Sequence, residues 1–131
     1  MRKLIPLLLF IVGCLTSAQA QFPITVTIVA KTKLLSQTGP VSSEVVFTPT
    51  NSGTYRITVY GSESASASNV VNINVSYTDS FALKLITDGI SPGNDHTLTF
   101  ISHLAASQPV SLEINSTTGD TYDAEVIVEK M

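Results

Sequence analysis

The 131-residue chain carries seven basic and ten acidic residues, a single cysteine and no tryptophan, with 44% hydrophobic and 13% charged residues. A length of this order suits one domain. No basic cluster is present, so neither nucleic acid nor an anionic membrane surface is expected as a partner, since both call for phosphate-neutralising charge.

The first element is an export signal. Arg2 and Lys3 precede an apolar run from Leu4 to Val12, and Ala18-Gln19-Ala20 supplies a small-x-small cleavage site. That run falls short of the about 20 apolar residues that span a bilayer, so residues 1–20 are expected to be removed and residues 21–131 to be secreted or extracytoplasmic. Ile11-Val12-Gly13-Cys14 also resembles a bacterial lipoprotein box. Lipidation at Cys14 would instead tether the protein at the cell surface. Cleavage after Ala20 leaves five basic residues against ten acidic ones, a formal charge of −5, and no cysteine. Disulfides, thiol chemistry and cysteine-based metal sites are then excluded.

Beyond the signal almost every apolar run alternates with polar residues at period two, the mark of strands with one dry and one wet face. Such runs are predicted near residues 24–30, 32–36, 43–48, 54–60, 69–77, 81–86, 96–104, 109–115 and 121–129. The second is the weakest of them, leaving about eight strands. The clearest is Val71, Ile73, Val75 and Tyr77 between Asn72, Asn74 and Ser76. Turn chemistry separates the runs at Gln37 to Pro40, Pro49 to Gly53, Asp88-Gly89 through Asp95, and Ser116 to Asp120. Gly61 to Asn69, rich in Ser and Ala, reads as a mobile loop. No stretch shows helical spacing. The expected fold is all-β: a single antiparallel β-sandwich over residues 21–131.

The segment Val45 to Tyr60 places Phe47, Pro49, Gly53 and Tyr55 around a polar turn. Pro49 cannot donate to a ladder and ends a strand, Gly53 offers backbone freedom, and Tyr55 drops its ring into the core. This pattern resembles the hairpin of C1q and tumour necrosis factor-like jelly-roll heads, and of small secreted bacterial β domains. The resemblance implies a jelly-roll-like sandwich that binds ligands on its outer surface and assembles as a trimer, without catalysis. Similar corners occur in immunoglobulin-like and pre-peptidase C-terminal domains, so the strand order, jelly roll or immunoglobulin-like, stays open on the residues alone.

Candidate chemistry is sparse. His96 and His103 lie seven residues apart on one predicted strand and so point to opposite faces, unable to share a metal. Asp95 beside His96 suggests a hydrolytic pair, but no Gly-x-Ser-x-Gly elbow accompanies it. Asp88 and Asp95, and Asp120 and Asp123, border turns in a way that suits calcium chemically, yet without the Asp-x-Asp-x-Asp-Gly spacing. They read as solvated turn residues, and no catalytic, cofactor or metal site is expected. Phe47, Tyr55, Tyr77 and Phe100 fall on apolar faces, whereas Tyr60 is the one ring expected to be exposed and to contact a ligand. Asn74-Val75-Ser76 and Asn115-Ser116-Thr117 are glycosylation sequons.

The expected function is therefore an exported, non-enzymatic module with a binding or structural role and an unidentified protein or glycan ligand. Few charges guard its strand edges, which favours self-association into a homo-oligomer, a trimer by the resemblance. The alternatives are a lipid-anchored surface protein and a carbohydrate-binding accessory module of a secreted hydrolase.

Overall fold

The computed structural model describes residues 25–64, 69–117 and 119–131. The export segment and Cys14 lie outside these residues. Eight strands are present: β1 (Thr27–Thr38), β2 (Val41–Phe47), β3 (Gly53–Glu63), β4 (Val71–Thr78), β5 (Leu83–Ile90), β6 (Asp95–Leu104), β7 (Val110–Asn115) and β8 (Thr121–Lys130).

They form two antiparallel four-stranded sheets, ordered β1-β8-β3-β6 and β2-β7-β4-β5. The pairing has one rule. β1 pairs with β8, β2 with β7, β3 with β6 and β4 with β5, as in one long hairpin rolled upon itself; β3–β8 and β4–β7 contacts then close the two sheets. This is the jelly-roll order, and it resolves the choice against an immunoglobulin-like arrangement.

The inner faces make the core. Tyr55, Ile57 and Val59 of β3 and Tyr122, Ala124, Val126 and Val128 of β8 are buried against Val71, Ile73 and Val75 of β4 and Leu112 and Ile114 of β7. Tyr77 stacks on Phe100 and Tyr55 tilts against Phe47, with ring centroids 5.4 Å and 5.5 Å apart. Two tyrosines anchor corners by their hydroxyls. Tyr122 Oη donates to the Gly39 carbonyl at 2.7 Å, and Tyr55 Oη to the Asn51 carbonyl at 3.2 Å.

Several boundaries differ from the sequence expectation. The runs at 24–30 and 32–36 are one strand, β1, which absorbs its irregular alternation in register shifts between Ile28 and Ala30 and between Leu34 and Gln37. β5 continues through Asp88-Gly89, expected as a turn, because Ile90 pairs with Val71 and is buried. β3 runs past Gly61 to Glu63 and shortens the expected loop. Gly61 faces the opposite sheet, where a Cβ would lie 1.9 Å from Ile90 Cδ1 and 2.9 Å from Ile73 Cδ1, so its missing side chain is a packing requirement. Gly53, by contrast, does not use its special freedom: the glycines with positive φ among the described residues are Gly39, Gly93 and Gly119.

Candidate functional site

Tyr60 sits on the outer face of the first sheet. Its backbone is the outward phase of β3, opposite Thr97 of β6 and Glu125 of β8. It is 36% exposed and borders a cavity of about 190 Å³ with Lys33, Leu35, Asp123 and Glu125. The second β1 irregularity shapes this region. Ser36 takes a φ of 50°, and its amide donates to Asp123 Oδ1 at 2.6 Å, which pins the bulge to β8. Asp123 also lines a neighbouring cavity of about 220 Å³, so one carboxylate borders two adjoining hollows. Along the same face Lys31 pairs with Glu125 at 2.6 Å. Arg56 grips Glu129 through two bonds of 2.6 Å and 3.0 Å, which hold the Glu129 carboxyl below its ordinary pKa. Tyr60 is not the most exposed ring, however. Phe81, in the β4–β5 turn, is 93% exposed. Asp79 accepts the Phe81 and Ala82 amides at 2.8 Å each and so holds the turn that presents the ring.

The histidines do fall on opposite faces. His103 pairs in register with the outward Thr54 and His96 with the inward Gly61. His96 is not coupled to Asp95, whose register partner is the outward Ser62. Its Nδ1 lies 2.6 Å from Asp88 Oδ2, so the imidazole bridges β6 to β5 across one flank of the sandwich. That contact joins the two sheets, and it is made with Asp88 rather than with Asp95.

The acidic turn residues divide. Asp88 serves His96, Asp95 is exposed, and Asp123 serves Ser36. Asp120 departs from the expectation of solvated turn residues: it is only 6% exposed, at the end of the sandwich where the β7–β8 turn folds back, its own amide donating to the Thr117 carbonyl at 3.3 Å. Near it lies Glu63, 4% exposed, which the sequence reading placed in a loop. Burial first, and the Asp120 charge second, raise the Glu63 pKa; the Val71 amide offsets only part of this. Extending the period-two count of Tyr55, Ile57 and Val59 by four residues would have put Glu63 on the inner face. Among the described residues no three His, Cys, Asp or Glu side chains converge on one point.

A last feature involves the strand edges. Large apolar side chains left uncovered on the strands belong to edge strands with one exception: Ile28, Val29 and Leu35 on β1, Val45 on β2, Leu83 and Leu85 on β5, and Ile101 on β6, against Tyr60 alone on an inner strand. β1 and β2 are neighbours on one flank and β5 and β6 on the other. Both β1 and β2 are broken by bulges, while β5 and β6 keep an unbroken register with their partners. Bulges twist an edge away from further pairing. The β5–β6 flank has no bulge, and it carries Leu83 at 72% and Leu85 at 65% exposure just after the turn that bears Phe81.

No family model matches the chain, and no curated protein matches it. Solved structures do. A subunit of Bacillus endospore appendages, a family of disulfide-linked pili, is 15% identical with a TM-score of 0.46, covering 82% of this chain and 90% of that one. A family 16 carbohydrate-binding module is 16% identical with a TM-score of 0.40, covering 73% and 70%. The Eiger tumour necrosis factor of S. frugiperda is 9% identical with a TM-score of 0.37, covering 78% and 85%. All are β-sandwich proteins, and at this level of identity the likeness concerns fold alone.

Proposed function

We propose that this chain is an exported, non-enzymatic jelly-roll module with a binding or structural role, and that it self-associates through the β5–β6 flank. The carrying observation is the pairing of a bulge-free, regular strand edge with the exposed Phe81, Leu83 and Leu85. Covering such side chains removes apolar area from water at about 25 cal/mol per Å², and a free strand edge offers unpaired amides and carbonyls to a second copy. A trimer is the stoichiometry implied by the C1q and tumour necrosis factor-like resemblance. Sedimentation of the secreted protein across micromolar concentrations tests the reading: an oligomer that dissociates in a Leu83→Ser/Leu85→Ser variant is expected, and a strict monomer overturns it. Intact mass of the processed chain separates release after Ala20 from lipidation at Cys14.

A second reading, a carbohydrate-binding accessory module, is favoured by Tyr60 beside the hollow bordered by Lys33, Asp123 and Glu125. An exposed ring flanked by hydrogen-bonding groups is a means of holding a sugar. Glycan-array binding lost on Tyr60→Ala would select it over self-association.

A further inference from the structure

Glu63 and Asp120 are the buried charged side chains among the described residues. One comes from the end of β3, the other from the turn before β8. An anion removed from water costs several kcal/mol unless a counter-charge or hydrogen bonds replace its hydration. Neither Glu63 carboxylate oxygen has a hydrogen-bond partner of normal geometry. None of the ion pairs of the described residues reaches Glu63; the lysines and arginine that pair do so with Glu125, Asp79 and Glu129. Glu63 stands on the inward phase of β3, opposite the buried Tyr122 of β8, and the Asp120 carboxylate is the charge that acts on it there. A buried carboxylate with no cationic side chain paired to it, beside a second buried carboxylate, describes an oxygen-ligand site.

We propose that this end of the sandwich binds a divalent cation of the calcium class, held by the Glu63 and Asp120 carboxylates and completed by hydroxyl, carbonyl and water oxygens. Calcium accepts six to eight oxygens in flexible geometry, whereas magnesium demands a near-ideal octahedron and zinc favours nitrogen and sulfur. Two carboxylates make a weak site, in the range of about 10⁻⁴–10⁻³ M typical of extracellular modules. The bound ion would tie β3 to the β7–β8 turn. This inference is independent of self-association.

The test uses the whole processed chain. Terbium luminescence, sensitised by Tyr122, the register partner of Glu63, should appear on titration and be displaced by excess calcium. Millimolar calcium should raise the melting temperature by about 5 °C over a chelator control, as expected for a ligand in roughly tenfold excess over its Kd, with magnesium giving less. Glu63→Gln and Asp120→Asn should each lose the calcium response and weaken terbium binding at least about tenfold. If a variant does not fold, the wild-type titrations still decide. A wild-type protein indifferent to calcium and terbium at millimolar concentration, yet stabilised on mild acidification, would show that a proton rather than a metal neutralises the pair, and would overturn the proposal.

Discussion

Inner and edge strands of this jelly roll share a sequence rhythm but not a fate. β3, β4, β7 and β8 bury every second side chain almost without interruption, whereas β1, β2, β5 and β6 alternate between partial and full exposure until the buried Ile90 and Leu104 that end β5 and β6. Val71-Ile73-Val75 on β4 and Leu83-Leu85 on β5 look alike as spacing; only the first set faces the other sheet. The register shows why. Thr78 opposes Leu83 and Ser76 opposes Leu85, so both leucines share the outer face with the polar side of β4. Alternation states that two faces differ, and neighbouring strands determine which face becomes the dry one.

The comparison breaks most sharply at the centre. Ile57→Ala on β3, fully buried, should cost about 2–5 kcal/mol by cavity formation, read by denaturant unfolding; a loss no larger than at an edge position would mean the core is not where the inner strands place it. Gly61→Val should cost about 1–3 kcal/mol by driving methyls into Ile73 and Ile90, again measured by denaturant midpoint. Glu63 sharpens the contrast at the end of the same strand. Its raised pKa means the folded state holds the proton more tightly than the unfolded one. In chelator, the stability this provides is complete below the ordinary glutamate range and fades as pH rises through the elevated folded value; melting temperature against pH should lose that component in Glu63→Gln. The smallest effect on monomer stability belongs to the edge: Leu83→Ser with Leu85→Ser should change it within about ±0.5 kcal/mol per site while abolishing self-association, seen by sedimentation.

Much of this architecture is legible in the residues. Val71 to Tyr77 and Tyr122 to Val128 announce their strands and their buried faces, and His96 and His103 separate as their spacing requires. Tyr55 enters the core as its place after the Pro49 corner suggests. The candidate sites are harder to read. Tyr60 is a strand-end ring whose hollow exists because β1 bulges at Ser36 and Asp123 catches its amide, a contact 87 residues apart in sequence. Glu63 stayed hidden because glycine followed by Ser/Ala composition mimics a loop; the strand persists through the Glu63 amide donating to the Asn94 carbonyl and the Ser64 amide to the Thr121 carbonyl. Phe81 gave no warning of its exposure, since an aromatic beside a strand usually packs.

Local alternation and turn chemistry alone determined that this protein is built of antiparallel strands with one apolar face each, because the pleat forces successive side chains to opposite sides whatever the surroundings. Strand order, the bulge-free β5–β6 flank and the meeting of Glu63 with Asp120 were decided only by the tertiary structure. They depend on which distant strands lie side by side, and a period of two carries no information about neighbours.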